Sequence, residues 1–482
     1  MDRLRRGLCP HHRAPAALDR PAPEARRRGR MMPAGPGFIP PFIPPSPGIP
    51  GPLRVISGLV RNNLSILPEA AYHEPAVVIP GLQRIVVVTG PELTGEFLQK
   101  QGDRFPKGRL QNEALMPLFG NAMISSEGAD WRWQRQAAAP LFRHQDMMDY
   151  GPIMTASAEA MVRLWREAPG QPRLINRDMM RAAFAVISNT MLAGGASDVI
   201  AAIEKGHGEY FKYVNWWLAN RYLGLPAWLP RPGKAAMHRH EDNLRQSVRA
   251  LVREKRARGA HQDDLLGKLL AAKDPETGRG MDDERIANNI ATFLVAGYDT
   301  TALSLSWALY LIAKSPDWAR RIREEVNEVC GAGPVGSAHY EALTTTRMVL
   351  SEALRLFPTA PIILRDVLED TELQEVRFKA GDIVMLPIYA MHRHRQSWEN
   401  PDTFDPSRFA LDSPKPVRHS YLPFGAGKRI CIGAAFAMLE GVIMLATFVR
   451  AADFEPLSPE PEPMGQLFLT ARAGIRMRVS PI

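Results

Sequence analysis

One glycine-rich stretch concentrates the residues best suited to chemistry: Phe424-Gly425-Ala426-Gly427-Lys428-Arg429-Ile430-Cys431-Ile432-Gly433. Gly425 and Gly427 permit a tight loop with exposed amides. Cys431 stands at its end, just before a helix that opens on Gly433-Ala434-Ala435. Amides and a helix N-terminus lower a thiol's pKa and keep a thiolate, and Arg429 adds a cation two residues away. That is a site for a thiolate metal ligand. A plain glycine turn with a structural cysteine is the competing reading. A P-loop is excluded, because Arg429 follows the Gly-Lys pair and no four-residue spacer precedes the second glycine. A dinucleotide fingerprint is excluded too, because the GxGxxG spacing and the preceding β-run are missing.

A second candidate lies inside a long Pro-free run, Asp282 to Lys314, which at about 1.5 Å per residue makes roughly 50 Å of helix. Asp282-Asp283-Glu284 suit its N-terminus, and Ser315-Pro316 stops it. Its middle reads Ala296-Gly297-Tyr298-Asp299-Thr300. A mid-helix glycine costs about 1 kcal/mol against alanine, so the position wants a reason. Residues 290–313 are apolar enough to raise a membrane span, but Asp299 at mid-segment and several hydroxyls argue for a helix through a globular body.

The remaining chain must position these residues. With 482 residues, 45% of them hydrophobic and 23% charged, it is globular; wholesale disorder, collagen and coiled coil are excluded. Cys9, Cys330 and Cys431 form no CxxC pair, which excludes a disulfide framework and a zinc or iron–sulfur site and suits a reducing, cytoplasmic setting. Of the net charge of +9, residues 1–30 supply six, through nine arginines against Asp2, Asp19 and Glu24, so the body is no nucleic-acid-binding surface. Residues 1–30 read as a disordered Arg-rich tail, with Met31 and Met32 as alternative starts. Residues 31–52, with nine prolines from 33 onward, read as a stiff lead-in, and 53–482 as the folded domain. No apolar run of signal-peptide or anchor length opens the chain. Val77-Val78-Ile79 and Ile85–Val88 around Pro80-Gly81 predict a β-hairpin, and Pro91 a short helix. Helices dominate 126–357, strands return at 361–388, a helix runs from about 434 to 451, and a β-like tail closes the chain. The class is α+β, mostly helical.

The glycine-rich stretch resembles the haem-ligand loop of the cytochrome P-450 family of haem-thiolate monooxygenases, Phe-x-x-Gly-x-Arg-x-Cys-x-Gly, at Phe424, Gly427, Arg429, Cys431 and Gly433. The resemblance implies haem b, with Cys431 as the thiolate ligand to iron. Glu352-Ala353-Leu354-Arg355 and Pro406-Ser407-Arg408-Phe409 resemble the family's Glu-x-x-Arg helix and Pro-x-Arg-Phe loop, whose charges form a buried network beside the haem loop. Ala296 to Thr300 resembles the distal pentad, implying Ala296-Gly297 as the space for oxygen, Thr300 as its hydrogen-bonding group and Asp299 as a proton relay. Trp131 with Arg135, Arg365, Arg429 and Lys107 are the implied propionate partners. The likeness spans roughly 75–480 and implies the P-450 fold, a long central helix over the haem with a smaller β region.

The implied activity is insertion of one oxygen atom of O2 into a hydrophobic substrate: fatty acid or other lipid-like molecule, terpene or aromatic. Electrons would come from a ferredoxin or similar donor with an NAD(P)H reductase, because no length remains for a fused redox domain. Lys428 suits an acidic donor. Tyr210, Phe211, Tyr213, Trp216, Trp217, Tyr222 and Trp228 are expected to form an apolar lid, with walls from 361–364 and 466–469, and Arg104 or Arg109 are candidate carboxylate clamps. An H2O2-using peroxygenase and a haem sensor or carrier are the alternatives. The retained Asp299-Thr300 pair argues against the first. The missing apolar anchor suggests a soluble, bacterial-type member.

Overall fold

Residues 37–192, 199, 213–226, 228–230, 232–258, 265–274 and 277–482 are described by the computed structural model; the Arg-rich tail lies outside them. The proline-rich chain from 37 is laid against the body. The Phe404 amide donates to the Phe38 carbonyl (3.0 Å), the Ile43 amide to the Tyr389 hydroxyl (2.9 Å), and Ser46 exchanges backbone bonds with Leu67 and Glu69. The compact unit is Pro36–Ile482, so the body begins before residue 53. Proline removes donors but leaves carbonyls and apolar rings free to pack.

Helix α1 (Pro52–Arg61) precedes the expected hairpin, β1 (Ala76–Ile79) with β2 (Ile85–Val88). β2 then pairs in parallel with β4 (Ile383–Leu386), which pairs antiparallel with β3 (Ile363–Asp366), giving the order β1-β2-β4-β3. Every residue of β2 and β4 is buried, which explains their unbroken apolar runs.

The helical part comprises α2 (Arg109–Phe119), α3 (Gly128–Ala138), α4 (Gly151–Glu167), α5 (Ile175–Leu192), α6 (Lys234–Arg258), α7 (Asp283–Ala313), α8 (Pro316–Cys330), α9 (Thr344–Leu356) and α10 (Ala434–Ala451). α1 and α2 were hidden in the sequence by mixed patterning, and Pro117 sits inside α2. α7 is the expected long helix: the Asp282 carboxylate accepts from the Arg285 amide (2.7 Å), and the helix packs against α5, α6, α9 and α10. Among the described residues one helix, α10, is long and apolar enough to cross a membrane, and 67% of it is buried inside the body.

Gly297 has a packing reason. A Cβ there would stand 2.6 Å from Ile187 Cδ1. The missing side chain lets α5 close onto α7.

Candidate active site

Gly425 and Gly427 both hold φ of +70°. A Cβ on Gly427 would overlap the Leu98 carbonyl oxygen, so this glycine answers both a left-handed turn and a close backbone approach. The Cys431 amide donates to the Phe424 carbonyl (2.9 Å) and the Ile430 amide to that of Gly427 (3.1 Å), which closes the loop before α10. Cys431 is exposed on one side and walled by protein on the others. Burial pushes its thiol pKa up, opposed by the Gly433 amide and the Arg135 guanidinium. Desolvation thus opposes the thiolate, while the Gly433 amide and Arg135 favour it. A bound metal ion would supply the missing positive charge. The nearby cation is Arg135, not Arg429.

Arg429 turns the other way. It pairs with Glu127, donates to the Ser126 carbonyl (3.0 Å), and lies 3.9 Å over the buried Trp131 ring, which Arg135 flanks at 5.8 Å. Lys107 Nζ donates to the carbonyls of Met123 (3.2 Å), Ile124 and Ser126 (3.2 Å). Arg365 is 8% exposed and donates to the Leu364 carbonyl (2.8 Å). Burial first, then Arg429, lowers Lys107 to about 7 and Arg365 to about 10. Glu127 thus faces all three cations, Asp103 acts on Arg429 besides, and among the described residues neither Lys107 nor Arg365 has an ion-pair partner. A poorly solvated excess of positive charge fits a ligand that brings carboxylates.

The charge network forms as its motifs imply. Arg355 Nε and Nη2 reach Glu352 at 2.6 and 2.7 Å with no side-chain exposure on either partner. The Arg355 guanidinium also donates to the carbonyls of His392 (2.8 Å), Pro401 (2.6 Å) and Thr403 (3.1 Å), and Arg408 Nε stands 3.6 Å from Glu352. His392 carries the connection to the ligand loop. Its Nε2 accepts from the Leu422 amide (2.8 Å), so Nδ1–H donates to the Arg355 carbonyl (3.0 Å). Burial lowers this imidazole to about 3, which keeps the neutral form that the two bonds require.

On α7, the Thr300 hydroxyl donates to the half-buried Ala296 carbonyl (2.8 Å). Asp299 and Thr300 line different cavities. Successive helical residues are about 100° apart. Asp299 lines a cavity with Asn176, Met180, Leu303 and the 466–468 loop, whereas Thr300 lines one with Thr301, Ser304, Thr359 and Phe424, between α7, α9 and α10. Beside the second cavity stands a residue the sequence reading missed. Glu440 is buried, its Oε2 lies 3.2 Å from Thr301 Oγ1, and its Oε1 has no partner. Burial raises it to about 8. Its signal was a lone acid in an apolar run nine residues past Cys431.

A third cavity has walls from Ile362, Leu364, Gln466 and Leu467, as expected. The aromatic lid differs. Tyr210 and Phe211 lie outside the described residues; Trp217 and Tyr222 are buried, Trp216 and Trp228 exposed, and from this segment the cavity takes Leu218. Lys428 is already paired with Asp103.

The cytochrome P450 family model matches residues 70–479. Cyclooctat-9-en-7-ol 5-monooxygenase of Streptomyces melanosporofaciens is 31% identical over 441 residues, covering 90% of this chain and 94% of its own. A cytokinin hydroxylase of Arabidopsis thaliana is 30% identical, covering 80% and 76%. In three dimensions the chain is similar to the crystallised haem domain of cytochrome P450DA, with a TM-score of 0.76, 25% identity, and coverage of 92% and 98%. Sequence and fold agree: the chain belongs to the cytochrome P450 family and is a haem-dependent monooxygenase of the α+β P450 fold.

Proposed function

We propose that Cys431 ligates the haem iron and that the chain hydroxylates an apolar substrate in the cytoplasm, drawing electrons from a separate ferredoxin-like donor and its NAD(P)H reductase. The observation that carries the site is the pairing of the Cys431 loop with the under-neutralised group Lys107, Arg365 and Arg429, which suits two propionates. Trp131 supports Arg429 and Arg135 from one indole, and Phe424 from the loop and Thr300 from α7 line one cavity. Bound there, haem supplies the reaction of O2 with two electrons and two protons that places one oxygen atom in the substrate and the other in water.

The polar groups of α7 manage the protons. Thr300 spends its hydroxyl hydrogen on Ala296, so its oxygen accepts from water in the cavity beside α10. Asp299 offers a carboxylate on the side of the 466–468 loop. The apolar lining of both cavities excludes bulk water from the reacting centre.

Cys431→Ala should lose the red-shifted Soret band that the reduced carbonyl complex of a thiolate-ligated haem shows. Retention of that band would move the ligand to another residue. Thr300→Ala should still bind haem and accept electrons, yet divert the electrons of NAD(P)H into reducing O2 to H2O2 instead of forming product. Asp299→Asn should slow the whole cycle. Unchanged coupling in Thr300→Ala would reduce the hydroxyl to a helix-packing group.

A further inference from the structure

Eleven residues line the cavity bounded by α1, α2, β3, β4 and the 466–467 loop: eight are apolar and three, Asn63, Gln111 and Gln466, are uncharged amides. None is titratable. The neighbouring cavity shares Gln466 and Leu467, and its one ionisable group is Asp299, a carboxylate. No cation lines either cavity; Lys107 and Arg365, the latter next to the lining residue Leu364, are the pair assigned above to the propionates, and the other candidate cations are paired. Arg104 pairs with Glu369 at 2.7 Å; Arg221 holds Glu113 at 2.6 and 3.2 Å, and Arg109 shares that carboxylate at 3.9 Å. Both expected carboxylate clamps are therefore already spent. With Lys107 and Arg365 taken up by the propionates, a carboxylate entering here would lose its water with no cation in the lining to meet it and with Asp299 in the neighbouring cavity.

The amides have unused capacity. Asn63 is 8% exposed; its Nδ2 donates to the Gln466 carbonyl (2.9 Å), while its Oδ1 is buried with no donor. Gln111 uses its Oε1 to accept from the Leu364 amide (3.3 Å), which leaves its NH2 outside that bond. The cavity lining thus includes an unpartnered acceptor and an NH2 donor outside the bonds named, the two halves of what a hydroxyl needs.

We propose that the substrate is an uncharged apolar molecule bearing a hydroxyl group, read by Asn63 and Gln111, and that among the described residues the cavity is built to reject carboxylates. This rests on the monooxygenase reading above, and it replaces the fatty acid in the sequence-based expectation with a neutral alcohol.

The test uses full-length holoprotein and two matched series: farnesol with farnesoic acid, and 1-dodecanol with dodecanoate and dodecane. Binding is read by the low- to high-spin shift and by calorimetry at pH 7.5. Each alcohol should bind at least tenfold tighter than its carboxylate. Gln111→Leu and, separately, Asn63→Leu should erase most of the alcohol's advantage over dodecane and leave dodecane affinity within twofold. A carboxylate that binds as tightly as its alcohol, an amide variant that keeps the full alcohol preference, or no binding in either series overturns the proposal. The carbonyl-complex band, measured on the same samples, keeps the two readings apart. Its presence with a carboxylate preference refutes the substrate class alone, whereas its loss refutes the thiolate-haem assignment.

Discussion

Replacing Glu440 by glutamine should flatten part of the protein's stability–pH profile. The folded carboxyl, buried with Thr301 as its hydrogen-bond partner, titrates at about 8, against an ordinary value of 4.5. Below 4.5 both folded and unfolded chains hold this proton. Between 4.5 and about 8 only the folded chain holds it, so rising pH favours the unfolded chain. Above about 8 both have lost it and the slope vanishes. At about 1.4 kcal/mol per pH unit, the span from 4.5 to about 8 sets a ceiling of about 5 kcal/mol on the stability lost. An unfolding entropy of about 2.1 cal/mol/K per residue over roughly 450 residues makes that about 5 °C in melting temperature. Glutamine keeps the shape and the capacity to bond Thr301 but has no proton to lose. Melting temperatures of wild-type and Glu440→Gln holoprotein, taken at one scan rate from pH 5 to 9, should coincide at the acid end. The variant should then gain several degrees toward pH 9. Subtraction removes every other titrating group. Parallel curves across this range would show that Glu440 is ionised in the fold, and the reasoning from burial would fail.

Gly427→Ala should sharply reduce haem content, read as the Soret-to-280 nm ratio, because the left-handed backbone costs about 1–2 kcal/mol before the overlap with Leu98 is counted. Wild-type loading would refute this. Glu352→Gln strands the buried Arg355 charge and should destabilise by about 3–5 kcal/mol in denaturant unfolding; a loss under 1 kcal/mol would mean that the three carbonyls suffice for Arg355. Gly297→Ala should destabilise by about 1–3 kcal/mol, and Ile187→Val, which removes the clashing Cδ1, should rescue it; additive effects in the double-mutant cycle would contradict the packing role.

The ligand loop, the long helix and the hairpin were legible in the sequence because each rests on local rules: glycines at turn positions, a Pro-free run with acids at its start, and two short continuous apolar runs around Pro80-Gly81. The α+β class followed from the same patterns. Pairing and burial were decided by the tertiary structure. A 100° step on α7 sends Asp299 and Thr300 to different cavities, although one pentad carries both. Arg429, two residues from Cys431, faces Glu127, while Arg135, almost three hundred residues earlier, senses the thiol. The prolines of the lead-in marked extended chain, and only their contacts with Tyr389 and Phe404 made it part of the body. Glu440 shows the difference most plainly. Its letter is that of a surface residue, and its chemistry was set when α10 packed against α7 and left the carboxyl with Thr301 in place of water. Spacing along a chain sets local geometry. The solvation of a charge is set by whatever the fold brings around it.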